Sequence, residues 1–299
     1  MKLKYKILWF DDQPGQISSL VRSVEKHVAK LGFSPEVEIR SVISHEEVDE
    51  LADTLDGYNP YDIIVFDYDL GRNSANGIDI AQALRSKIYT DLIFYSGSGI
   101  ASLREKLFRN EVDGVFLVGR DDFLDDIEPI IDDHIKKMSD INNIRGVMMS
   151  EVSDMDLDLR DYLHKILDDL DATKSEELLR SFKVKYARDS GKRLGSIQSK
   201  ESFQEMLQDP HSFTLEHIRL LLKSIFKDDS KVNFFDNNQT LHNAQMERNK
   251  LAHNRDEYTK DGKLILHLHK GEIKEYDFDE FRRVRHDLLA ARKGIRDLP

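Results

Sequence analysis

The feature that most constrains this chain is an alternation. Five short strand patterns, at 6–10, 36–40, 62–66, 92–95 and 114–118, are separated by stretches of helical periodicity at 16–30, 45–55, 77–86, 100–108 and 122–137. Strands joined through helices pair in parallel, and a parallel sheet covered on both faces has near-continuously apolar strands of this kind. The first 138 residues are therefore expected to form a doubly wound α/β unit with five parallel strands. Ligands of such sheets collect at the carboxyl ends of the strands. Asp11 and Asp12 end the first run there, Asp67 ends the third and Ser96 ends the fourth.

With a strand order of 2-1-3-4-5, the first and third strands are neighbours and the three aspartates share one pocket. Carboxylates with reference pKa values of about 3.9 repel one another at neutral pH unless a hard divalent cation bridges them. Mg2+ is the natural candidate. A carboxylate beside that ion can attack a phosphoryl donor, and a hydroxyl such as that of Ser96 can turn toward the new oxyanion.

The segments KILWFDDQ, DIIVFDYDLGRNSANGIDIAQALR and LIFYSGSG resemble response-regulator receiver domains at three separated places. The resemblance implies a receiver-like, flavodoxin-like fold for residues 1–139. It also implies an acidic metal-binding pair at Asp11 and Asp12, a phosphoacceptor at Asp67 and a switch hydroxyl at Ser96, with the metal site completed by the backbone carbonyl of Asp69. A sensor kinase is the partner implied. Receivers normally close strand five with a lysine and a proline, whereas this chain reads GVFLVGRDDF, with Arg120 nearby. A planar guanidinium does not reproduce an ammonium. Phosphorylation and a pseudo-receiver docking role both stay open.

After residue 140 the alternation stops. Helical patterns are expected at 156–169, 176–186, 202–207, 215–226 and 239–253, then a β-hairpin turning at Lys270 and Gly271, then a helix at 279–291. No zinc spacing, phosphate-cradling glycine loop or nucleophile elbow stands out. His267 and His269 alternate on one strand and could join His242 at a metal, but a hairpin surface accounts for them as well.

One constellation carries chemistry. ERNKLAHN puts Arg248, Asn249 and His253 at the C-terminal end of a helix, with Asn254 as a C-cap; Asn249 and His253 share a face, and Arg248 flanks them. Histidine moves protons near neutral pH and arginine grips phosphate, a pairing suited to RNA cleavage. The spacing alone is weak, since Arg40 and His45 repeat it across a strand end and a helix start. The segment resembles the conserved motif of HEPN domains, and the helices before it and the hairpin and helix after it agree. That resemblance implies a mainly helical HEPN-like domain over 140–299, with catalytic Arg248 and His253, a supporting Asn249, no metal, and a homodimer across a twofold axis.

Charge divides the chain. Residues 1–138 hold 26 acidic and 16 basic side chains, −10 of the net −12. Within residues 180–200, Lys183, Lys185, Arg188, Lys192 and Arg193 are candidates to follow an RNA backbone, the alternative being a solvated helix and loop. The absence of cysteine removes disulfides and thiolate chemistry. No apolar run approaches the roughly 18 residues of a membrane span, so a cytoplasmic location is expected. The acidic charge and lack of a recognition helix make DNA an unsuitable partner. Two functions are compatible with all this: a signal-regulated ribonuclease, by analogy in bacterial stress or antiviral defence, or a non-catalytic phosphorelay adaptor whose helical half dimerises or binds a partner.

Overall fold

A computed structural model describes residues 3–41, 44–71, 75–97, 99–186, 201–208, 213–226, 230–236, 239–259, 263–268 and 271–298. The chain divides into two compact units, residues 2–140 and residues 141–299.

In the first unit, β1 (Lys4–Phe10), β2 (Ser34–Arg40), β3 (Ile63–Asp67), β4 (Asp91–Ser96) and β5 (Val115–Gly119) form one sheet in the order β2-β1-β3-β4-β5. All four pairings are parallel. The central strand β3 reads IIVFD and is buried at every position, whereas the edge strands β2 and β5 are only partly covered. The helices are α1 (Pro14–Lys30), α2 (His45–Gly57), α3 (Gly77–Arg85), α4 (Ile100–Arg109) and α5 (Phe123–Met138). Leu8, Phe10, Ile64, Phe66, Leu92 and Phe94 pack on one face with residues of α2, α3 and α4. The alternate positions Trp9 and Tyr95 point the other way, and both rings meet Phe123 of α5. The result is a doubly wound, receiver-like α/β fold.

The second unit is mainly helical: α6 (Ile141–Asp168), α7 (Ala172–Tyr186), α8 (Phe203–Leu207), α9 (Leu215–Ile225), a 3-10 turn (Ser230–Phe235), α10 (Thr240–His253) and α11 (Phe278–Arg296). Its small antiparallel sheet has the order β6-β7-β8, formed by Arg255–Tyr258, Leu264–His267 and Ile273–Tyr276. No helix among the described residues is long and apolar enough to cross a membrane.

Two expectations need correction. The helix expected at 156–169 begins fifteen residues earlier, at Ile141, and runs for 28 residues. Ile141, Ile144, Val147, Met148, Val152, Met155 and Leu159 make a continuous helical stripe, but Asn142, Asn143 and Gly146 lower the local propensity and hide its start. The hairpin is also one strand short of the sheet, because β6 reads RDEY and is exposed throughout. It pairs with β7 through the backbone, and its polarity gives no strand signal.

Candidate functional sites

Parallel pairing brings β1 and β3 to the same carboxyl edge, and the acids follow. Asp11, Asp12 and Asp67 each present a carboxylate oxygen within 4.8 Å of the others, with Asp11 and Asp67 buried and Asp12 partly so. Asp11 accepts from the Gln13 N–H at 2.7 Å. Asp67 accepts from the Asp69 N–H at 3.3 Å, while the Asp69 carboxylate turns away to accept from Gly71 N–H at 3.2 Å. Asp69 therefore offers backbone, not carboxylate, to the pocket. Gly77 is required beside it: a Cβ there would lie 2.6 Å from Phe94 Cε1 and 2.9 Å from the Asp67 carbonyl oxygen.

Arg120, just past β5, donates through Nη2 to Asp67 Oδ2 and lies over the Tyr95 ring, 5.5 Å from its centroid. A cation thus reaches the Asp67 carboxylate from the end of β5. Tyr95 continues the network: its hydroxyl donates to Asp11 Oδ2 and accepts from Trp9 Nε1 at 3.1 Å. Ser96 is buried at the end of β4, opposite Gly119 in register. Burial, helped by the charges of Asp11 and Asp12, pushes the Asp67 carboxyl up to about 6, even though Arg120 and the Asp69 N–H pull it down. Burial and the bond to Asp11 push the Tyr95 hydroxyl far above its ordinary range, so it stays a donor.

In the second unit, Arg248, Asn249 and His253 lie on the last turns of α10. Arg248 Nη1 donates to Asn249 Oδ1 at 2.9 Å. Five residues of helix separate the arginine from the histidine by about 140°, and the surroundings differ accordingly. Arg248 lines a cleft of about 550 Å³ among α6, the start of α9, and α10, together with Met149, Ser150, Ser153 and Gln245. His253 lies outside it, exposed at the helix end.

Sequence reading missed what holds that end. Arg145 of α6 donates to the Leu251 carbonyl at 2.8 Å, the Asn254 carbonyl at 2.9 Å and Asp256 Oδ1 at 2.9 Å, bracketing His253. Asn254 caps the helix through Nδ2 to the Lys250 carbonyl at 2.7 Å. Glu247, buried beside Arg248, accepts from Lys274 Nζ at 2.8 Å and from the Tyr276 hydroxyl, tying β8 to α10. Burial works to raise the Glu247 pKa, but the Lys274 and Tyr276 bonds outweigh it and hold the carboxyl below its ordinary value.

Other candidates separate. His267 pairs with Glu257 at 3.2 Å, and His269 lies outside the described residues. Among the described residues, the acids at 11, 12 and 67 are the one group suited to a metal. Lys183 sits half-buried on α7, Lys185 is described by its backbone alone, and Arg188, Lys192 and Arg193 lie outside the described residues.

No family model and no curated protein matches the chain. Among solved structures, it is similar to a Francisella response-regulator receiver domain at 18% identity and a TM-score of 0.34, covering 45% of this chain and 99% of that one. The non-phosphorylated HemR receiver domain from Leptospira biflexa gives 22% identity, a TM-score of 0.31, and 42% and 94% coverage. A Clostridium thermocellum response-regulator receiver domain protein gives 20%, 0.32, and 44% and 95%. The fold assignment for the first unit rests on its own parallel register and 2-1-3-4-5 strand order.

Proposed function

We propose that the chain is a signal-regulated endoribonuclease, in which the receiver-like unit senses and the helical unit cuts RNA as a metal-independent homodimer. The observation that carries this reading is the Arg248–Asn249 pair on a helix that ends in an exposed histidine. His253 moves protons between the 2′-hydroxyl and the leaving oxygen, and Arg248 holds the phosphate between them. Lys183, Lys185, Arg188, Lys192 and Arg193 supply charge along the RNA backbone. By the same analogy the setting is stress or antiviral defence, in the cytoplasm.

For the sensor, an all-oxygen donor set of three clustered carboxylates, two of them buried, fits a hard divalent cation. Asp11, Asp12, Asp67 and the Asp69 carbonyl would hold Mg2+, which there supplies the positive charge that lets an anionic phosphoryl group come up to Asp67. Asp67 is the phosphoacceptor for a sensor kinase, Arg120 stands in for the lysine, and Ser96 is the switch hydroxyl. A second reading, a non-catalytic adaptor, draws on the Arg120–Asp67 ion pair, which already occupies the acceptor carboxylate.

The test is cleavage of several RNAs by the full-length protein, with and without a phosphoryl donor. His253→Ala should lose at least about a hundredfold of the rate, and Arg248→Lys should lose most of it because the bidentate fork is gone. EDTA should not protect the RNA, DNA should resist, and products should end in 2′,3′-cyclic phosphate. Failure to cut any RNA would leave the adaptor reading in its place, and full activity in His253→Ala would remove His253 from the site.

A further inference from the structure

An α-helix leaves its last four carbonyls without partners in the helix, and many helices close them with a glycine in the left-handed region just past the end. Helix α10 ends otherwise. Its C-cap, Asn254, is extended, with φ −113° and ψ 151°, and β6 starts at the next residue, Arg255. Helix turns to strand across a single residue, and His253 is the last residue before that turn. Its ring is exposed, so the backbone rather than packing sets the direction in which it points.

Two side chains close the turn. Asn254 Nδ2 donates to the Lys250 carbonyl at 2.7 Å. Arg145 donates through Nε to the Leu251 carbonyl, two residues before His253, and through Nη2 to the Asn254 carbonyl, one residue after it. Its third nitrogen, Nη1, donates to Asp256 in β6. One turn earlier on α6, the Ile141 N–H donates to the Tyr258 hydroxyl at 3.2 Å. The chain from Leu251 to Tyr258 is thus tied to the first two turns of α6, which buried Ile141, Ile144, Val147 and Met148 anchor in the core. The planar fork of arginine carries five N–H donors and reaches two carbonyls and a carboxylate together, whereas a lysine ammonium is a point charge on a flexible stem. Side-chain exposures of 27% and 30% make the Arg145–Asp256 ion pair a weak contributor by itself. What the guanidinium fixes is the path of the backbone around the histidine.

We infer that Arg145 is a positioning residue for RNA cleavage: its guanidinium sets the helix-to-strand turn that aims the His253 imidazole. The inference rests on the ribonuclease reading and adds to it a residue that acts through another. A proton carrier must lie within hydrogen-bond reach of the group it serves, and a misplacement of about 1 Å costs about a hundredfold in rate. Arg145 therefore acts on the chemical step and leaves RNA binding to other groups.

The experiment is steady-state RNA cleavage by the full-length protein, as wild type, Arg145→Ala, Arg145→Lys and His253→Ala, at a temperature where circular dichroism shows the variants folded. Arg145→Ala should lower kcat on the order of tenfold to a hundredfold and leave KM unchanged. Arg145→Lys should fall nearly as far, because one ammonium cannot bridge three acceptors. Guanidinium chloride at tens of millimolar, far below denaturing concentrations, should return part of kcat to Arg145→Ala and none to His253→Ala. A clamp that serves stability alone would lower the melting temperature without moving kcat of the folded protein. A wild-type kcat in folded Arg145→Ala, or a loss seen only in KM, overturns the inference and leaves the ribonuclease reading standing. Full activity in Arg145→Lys overturns it too, since charge alone then suffices. If Arg145→Ala does not fold, Arg145→Lys decides by the same split between kcat and KM. If wild type cuts no RNA, the ribonuclease reading falls and this inference falls with it.

Discussion

Asp67→Asn in the absence of divalent cations should make the receiver-like unit more stable at neutral pH. Burial raises the Asp67 carboxyl from 3.8 to about 6, so the folded protein prefers the protonated form. A raised folded-state pKa means that stability is fully present below the unfolded value and is lost as pH rises through the folded one. The window is therefore about pH 4 to 6, and the loss is complete by pH 7.5. About two pKa units at ~1.4 kcal/mol each give on the order of 3 kcal/mol. The side chain is only 7% exposed, so solvent does not screen this away. An asparagine avoids the ionisation cost, and the rise to about 6 is already net of the pull of Arg120. The gain is then ~3 kcal/mol at pH 7.5 and nil near pH 4. Scanning calorimetry of wild type and variant in EDTA, at both pH values, measures it. Millimolar Mg2+ should cancel the gain, since the ion favours the carboxylate. A variant that is neutral or destabilised at pH 7.5 in EDTA, or a gain independent of pH, would refute the reasoning.

Mg2+ at about 100 times its dissociation constant should stabilise wild type by roughly 2.7 kcal/mol, and Asp12→Ala should remove that gain in thermal melts. Arg120→Ala should tighten Mg2+ binding by roughly fivefold, because the ion no longer competes with a cation for Asp67; calorimetric titration showing weaker binding would contradict this. Arg145→Ala leaves the Leu251 and Asn254 carbonyls without their donor and should cost ~2 kcal/mol in urea unfolding of the helical unit. An unchanged midpoint would mean that water replaces the clamp at no cost.

The sheet was legible because its inner strands β1, β3 and β4 are buried on both faces and read as plain apolar runs, and the acids were legible because they end those runs. Arg120 could be suspected from sequence, but its reach to Asp67 depends on where β5 ends. Tyr95 gave no signal: it looks like one more core aromatic beside Ser96, and only the pleat turns its hydroxyl toward Asp11. In the helical unit the Arg248, Asn249 and His253 motif was visible, while its supports were not. Arg145 lies more than a hundred residues away in sequence, on a helix start obscured by asparagines and a glycine. Gln245 is an ordinary helix residue until its oxygen is found buried and unpaired.

The chain has one tryptophan, and it is wired to the acidic pocket: Trp9 Nε1 bonds the Tyr95 hydroxyl, which bonds Asp11. An indole senses the dipole at its N–H. A cation that drew the Asp11 carboxylate toward itself would turn or free the tyrosine hydroxyl, and the emission colour of Trp9 would change with it. The receiver-like unit therefore contains its own optical probe, and titrating a solution of the unlabelled protein while watching its fluorescence reads the occupancy of the acidic pocket directly.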